Sequence, residues 1–253
     1  MLKKEDIIAD MHMHTIVSKH AYSTIKENMD VARERGMKYI GITEHYYNDG
    51  TDIEKKNEIV RTVYANRINR LASDVKIISS FEFNLNQEWY DDDKIEMLKW
   101  RPVGIHSWFV DFDTLTLDGL YDLFVKSHEQ HQTNVFVHIE REIHKIDGGK
   151  HKTLDEDVQN FYKKIVTYAK ENNIFLEVNE SSIVTNEGHG VSRMVYWLTL
   201  AKEAGITITM GSDAHYCNEV ADFRHSIKML NKIGYPKELI FNCNEEMILQ
   251  YVE

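Results

Sequence analysis

The chain has 253 residues, 42% of them hydrophobic and 28% charged, which suits a globular protein able to bury the core of one large α/β domain. A formal net charge of −11 and a pI near 5.6 argue against duplex nucleic acid as a partner, though not against a small anion held beside bound cations. No apolar run approaches the ~20 residues of a membrane span and residues 1–10 show no secretory h-region, so a cytoplasmic location is expected.

Short apolar runs alternate with helix-length segments along the whole chain. "IIADMHMH" predicts a first strand and "NMDVARERGM" a helix ending near Gly36. "KYIGITEH" is a second strand, and residues 54–74 carry helical spacing. "VKIISSFEFNL" gives strand three, and "RPVGIHSWF" contains strand four. "LDGLYDLFVKSHEQH" is a helix and "NVFVHIE" strand five. Residues 154–173 are a helix, and "IFLEVNESS" is strand six. "VSRMVYWLTLAKEAG" is a helix and "ITITMGSDAH" strand seven. "EVADFRHSIKMLNKIG" and "NEEMILQYV" close the chain as helices, with a short "ELIFN" between them. No linker, repeat or composition shift divides residues 1–253, so a single domain is expected.

Alternating strands and helices imply βαβ units and a parallel sheet. The polar residues choose between an open sheet and a barrel. His12 and His14 end strand one and His45 ends strand two. Glu82 lies near the end of strand three, His106 of strand four and His138 of strand five. Asn179 ends strand six, and Asp213 and His215 follow strand seven. An open sheet gathers its site at one crevice, whereas a barrel brings every strand end to one mouth. Seven strand–helix units in a barrel are therefore expected.

Asp10, His12 and His14 sit at i, i+2 and i+4, a spacing that points all three to one side of a strand. Two imidazoles on one side can share a metal. Asp10 is either a further ligand or an acceptor for an imidazole N–H. With His20, His45, Glu82, His106, His138, Asp213 and His215, the histidines and carboxylates of the strand ends and their loops outnumber the three or four donors one zinc takes. They suit two or three ions, and donor sets of nitrogen and oxygen without cysteine suit zinc, manganese or iron. Cys217 and Cys243 have no ligand spacing and read as free thiols. His128, His131, His144, His151, His189 and His225, on predicted helices or loops, read as surface or internally satisfied histidines.

In order, "DMHMHT", "ITEH", a strand glutamate, strand-end histidines and "GSDAH" resemble the PHP (polymerase and histidinol phosphatase) superfamily from Asp10 to about Val252. "HMHTIVSKHAYST" and "FLEVNESS" are similar to segments of its short bacterial stand-alone phosphoesterases. The resemblance implies a distorted (β/α)7 TIM-like barrel with three divalent metal ions, zinc foremost and manganese or iron as alternatives. By motif, His12 and His14 resemble ligands of one metal with Glu82 and Asp213. His20, His45 and His215 resemble the set for a second, and His106 and His138 with bridging Glu82 the set for a third. Glu44 stands where the family commonly has Asp. "IERE" follows His138 where relatives commonly have Pro-Gly, so the loop after strand five is expected to differ.

These readings lead to a metal-dependent hydrolase acting on a small phosphate monoester, with His12, His14, Glu82, Asp213 and His215 at its catalytic centre. Arg141, Lys145 and Arg193 are candidates for holding phosphate oxygens. The alternatives are a phosphodiesterase or nuclease for short nucleotides, a histidinol-phosphate phosphatase, a metal-bound scaffold, and hydrolysis of an amide or C–N bond on a similar site. The oligomeric state and the identity of the substrate are not expressed in the sequence.

Overall fold

The computed structural model describes residues 1–46, 69–70, 74–87, 98–185 and 189–252. The helix predicted over residues 54–74 lies almost wholly outside them. Seven parallel strands follow one another in chain order: β1 (Ala9–Met13), β2 (Tyr39–His45), β3 (Lys76–Asn84), β4 (Pro102–Gly104), β5 (Val135–Phe136), β6 (Phe175–Asn179) and β7 (Ile208–Gly211). The order has no crossover, as in a barrel. Nearly every strand residue is buried, because interior side chains cover one face and helices the other.

The ring closes between β1 and β7 through hydrogen bonds at both levels. Near the strand N-termini, the Asn242 amide donates to the carbonyls of Ala9 and Met210, and its Oδ1 accepts from Met210 N at 2.6 Å. Near the C-termini, His14 N donates to Ala214 O and Asp213 N to His12 O. Asp10 completes the suture: Oδ1 accepts from Ser212 N at 2.9 Å and Oδ2 from Ala221 N at 2.7 Å. Burial pushes the Asp10 carboxyl up to about 6 even with these donors.

Among the described residues the helices of five or more residues are α1 (Ile25–Glu34), α2 (Leu117–His131), α3 (Glu156–Glu171), α4 (Glu180–Thr185), α5 (His189–Ala204), α6 (Arg224–Ile233) and α7 (Glu245–Leu249). Thr24, Thr116 and Asp155 cap the first three through their side-chain oxygens, as N-cap residues do. The "ELIFN" segment forms 3-10 turns and contributes one bridge, Ile208 to Ile240, rather than a strand. Residues 180–182, expected to end strand six, instead open α4, whose Glu180 accepts from Ser226 N and His225 N at the start of α6.

Two glycines give the mouth its room. A Cβ on Gly104 would meet His138 Cε1 at 2.5 Å, and one on Gly211 would overlap His12 Cβ and the Glu177 carboxylate. Both strands thus pass close enough for neighbouring imidazoles to enter the barrel axis.

Candidate metal centre

All nine histidine, glutamate and aspartate candidates converge at the C-terminal mouth. β1 delivers His12 and His14 on its inward side, as the two-residue period requires. Thr15 then caps a short 3-10 turn over Ile16–Ser18, and Lys19 adopts a positive φ of 67° that sends the chain back. His20 returns to the mouth, with Nε2 3.2 Å from His45 Nε2 and 2.9 Å from His215 Nε2. Glu44 holds this loop, accepting from Thr15 N, Thr15 Oγ1 and Ser18 Oγ.

Glu82 is the hub. Its Oε1 lies 2.6 Å from His138 Nε2 and 3.2 Å from His106 Nε2. Its Oε2 lies 3.0 Å from His45 Nδ1 and 3.4 Å from both His12 and His14 Nε2. Asp213 Oδ1 lies 3.2 Å from His14 Nε2 and 3.6 Å from His12 Nε2. Two of the nine carry strained backbone for non-glycine residues: His138 has φ 33° and Asp213 φ 54°. Such strain persists where surrounding structure fixes a side chain in a demanded position.

The electrostatics separate the imidazoles. Burial, reinforced by neighbouring imidazolium charge, keeps His14 and His20 below the ordinary histidine value, and His45 is pulled down to about 4. Burial and the Arg141 charge lower His138. Burial also opposes charge on His12, but Glu177, Glu82 and Asp213 override it and hold that imidazole well above its usual range. Burial would raise Glu82 and Asp213. Histidine charges around Glu82, and Arg141 with His12 and His14 around Asp213, instead hold both well below the carboxylate range.

This donor set fits divalent cations. His14, His45 and His215, then His12, His14 and Glu82, then His45, Glu82 and His106, each present ligand atoms within 4.8 Å of one another. Imidazole nitrogens of His12 and His14, of His20 and His45, and of His20 and His215 face one another at 2.9–3.2 Å, so several donors aim at common points where a cation could sit. Glu82 Oε2, wholly buried, receives no hydrogen bond of good geometry. Nitrogen and carboxylate donors suit a borderline metal.

The surrounding residues were only partly anticipated. Asp10 is a backbone clasp and not an imidazole acceptor. That second role falls to Glu177, whose Oε1 lies 2.6 Å from His12 Nδ1 and whose Oε2 accepts from His138 N and the Asn179 amide. Glu177 and Asn179 share one face of β6, and that i, i+2 spacing was the available signal. Arg141 projects from the tight turn after His138. Its Nη2 donates to Asp213 Oδ2 at 2.5 Å and Asn179 Oδ1 at 3.0 Å, and its Nε donates to Ser182 Oγ. The structure places Lys145 and Arg193 elsewhere. Lys145 pairs with Glu142 and lies over the Phe112 ring, and Arg193 is buried with Nη2 donating to His151 O. His128 and His225 are internally satisfied, against Thr133 O and Glu180.

A nearly closed parallel β/α barrel with histidines and carboxylates gathered at its C-terminal mouth defines a class of metal-centre hydrolase folds. The chain belongs to the PHP domain family, whose model matches residues 10–181. It is similar to two proteins each named "Probable phosphatase". One, from Shewanella frigidimarina, is 25% identical over 97% of this chain and 92% of that protein. The other, from Clostridium botulinum, is 27% identical over 97% and 94%. A histidinol phosphate phosphatase from Lactococcus lactis, solved with zinc, L-histidinol and phosphate, shares the fold with a TM-score of 0.65. It is 15% identical and covers 90% of this chain and 94% of its own.

Proposed function

We propose that the protein is a metal-dependent phosphoesterase hydrolysing a small phosphate monoester. The observation that carries this reading is the Glu82 hub, one buried carboxylate within 3.4 Å of five imidazole nitrogens from four other strand ends. His12 and His14 with Glu82 and Asp213 would hold one ion, His20, His45 and His215 a second, and His106 and His138 with Glu82 a third. Curated relatives named phosphatases over nearly the whole chain support the reaction class. The zinc in the Lactococcus lactis neighbour supports zinc as the metal, with manganese or iron as alternatives of the same ligand preference.

Divalent ions at such donors supply Lewis-acid polarisation of phosphoryl oxygens and a water of lowered pKa. The chain's own residues do the rest. Glu82 and Asp213 stay ionised, so the centre keeps its anionic donors at neutral pH. Glu177 fixes the His12 ring so that Nε2 faces the mouth. Arg141 sits at the rim with a planar fork able to exchange Asp213 for a phosphoryl oxygen, which would orient the ester. Phosphoryl transfer depends mainly on such positioning and charge neutralisation.

The test is inorganic phosphate release from a panel of monoesters by protein of measured metal content. Release that depends on added metal and disappears in Glu82→Ala is expected. Full activity in metal-stripped protein or in Glu82→Ala would refute the site.

A further inference from the structure

Large apolar side chains are exposed at few places among the described residues, and four of the seven closely follow candidate ligands: Ile16, Tyr22, Trp108 and Tyr216. Three are aromatic. Trp108 is 59% exposed, Tyr22 78% and Tyr216 49%. Backbone bonds tie two of their loops together, because Tyr22 N donates to His215 O at 2.8 Å.

Trp108 stands closest to the donors. Its ring lies 5.9 Å from His20 and 6.0 Å from His45, both edge-on. It lies 6.0 Å from His106 with the planes only 8° apart. Three proposed ligands thus fix the indole, yet most of it remains open to solvent. An aromatic plane held still beside a reaction centre is a stacking surface for another ring, and stacking tolerates different ring chemistries because each has a π-face. A cationic group would also favour an indole face, but divalent ions held by His20, His45 and His106 would repel it.

We propose that Trp108 selects substrates in which the alcohol portion of the phosphate ester carries a neutral aromatic ring, as in a nucleoside monophosphate, by stacking on that ring. This rests on the phosphoesterase reading above. In the reaction, water adds to phosphorus, the bond from phosphorus to the ester oxygen breaks, and that oxygen takes up a proton from the water. The products are the free alcohol and inorganic phosphate.

Adenosine 5′-monophosphate and ribose 5-phosphate make a matched pair, since both esters leave from a 5′-carbon and only one carries a base. Metal-loaded protein should favour the nucleotide by about 10- to 100-fold in kcat/KM. Trp108→Ala should bring that ratio to about one, chiefly through KM, and Trp108→Phe should keep most of it. Indole fluorescence in a Trp89→Phe background gives a readout independent of turnover, because of the three remaining indoles Trp100 and Trp197 are buried and Trp108 is not. In that background the nucleotide should quench emission with Trp108 present but not after Trp108→Phe, and ribose 5-phosphate should quench neither. Equal kcat/KM for the two esters, a parallel loss on both in Trp108→Ala, or quenching that survives Trp108→Phe would overturn the proposal. Absence of phosphate release from every ester in the wider panel would instead bring down the phosphoesterase reading, and this inference with it.

Discussion

The two ends of this barrel are closed by opposite chemistry. At the N-terminal end, Trp100, Phe175, Phe241 and Tyr251 pack with ring centroids 5.0–6.1 Å apart. Ala9, Tyr39 and Val135, near the starts of their strands, join the same cluster. At the C-terminal end the equivalent space holds five imidazoles around Glu82, two strained backbones and an arginine on an aspartate. The first arrangement minimises free energy by burying apolar area. The second leaves a buried carboxylate oxygen without a hydrogen bond and aims imidazole nitrogens at one another, an arrangement that suits a bound cation. Stability and function are thus separated along one axis, and mutations at the two ends should separate in the same way.

The largest contrast sets Glu82→Ala against Phe241→Ala. Glu82→Ala should lose metal and activity to background while circular dichroism stays native and the metal-free melting temperature falls less than in Phe241→Ala, by the lost pairing with the histidines. Phe241→Ala should destabilise by about 3–5 kcal/mol, lowering Tm by roughly 6–20 °C, while folded molecules keep their metal and turnover. A Glu82 variant that unfolds, or a Phe241 variant that loses metal while folded, would break the division.

Next in size is Glu177→Gln, which keeps the shape but removes the charge that orients His12. Metal affinity or activity should fall about 10- to 100-fold, read by competition with a chromophoric chelator. Gly211→Ala tests the same contact sterically. Its added methyl displaces His12 or Glu177, so metal content should drop by a similar factor. At the other end, Asn242→Ala leaves buried groups of β1 and β7 unpaired and should cost about 1–3 kcal/mol of stability, measured by urea unfolding, without altering metal content.

The smallest effect is on pH. In metal-free protein, His14, His20, His45 and His138 have folded values below 6.5, so the unfolded chain binds protons first as the medium acidifies. Their contribution to stability is complete above about pH 6.5 and falls as pH drops toward the His45 value of about 4. His12 acts in reverse, contributing most below 6.5 and losing that contribution as pH rises through its folded value. Glu82 and Asp213 add stability above their ordinary values of 4.5 and 3.8, lost at lower pH. The sum is acid-sensitive, so urea midpoints of chelated protein should fall steadily from pH 7 to pH 4. Bound metal should flatten the upper part of that curve, because ligand binding stabilises the folded state.

The order of strands was legible because each strand is an apolar run ending in a metal-capable or polar residue, from His14 through Asn179 to Asp213. The barrel's distortion was not read from periodicity: β4 and β5 keep only Pro102–Gly104 and Val135–Phe136 as regular strand. The chain leaves regular geometry early there, and His138 takes a left-handed backbone no pattern encodes. The nine donors were visible as residue types at strand ends. Their supports were not, since Glu177 and Asn242 act across sequence separations of 165 and 32 residues. Lys145 and Arg193 show the converse limit. A basic residue near a mouth loop can be spent on a local carboxylate or on a carbonyl, and only side-chain placement distinguishes these from Arg141.

The most direct measurement is metal stoichiometry by inductively coupled plasma mass spectrometry on the purified protein and on Glu82→Ala, with phosphate release assayed on the same samples. More than one divalent ion per chain, lost together with phosphate release when Glu82 is removed and the fold is retained, is the expected result. Phosphate release that persists in metal-free protein, or metal content unaltered by Glu82→Ala, would contradict the assignment of the mouth as a metal-dependent phosphoesterase centre.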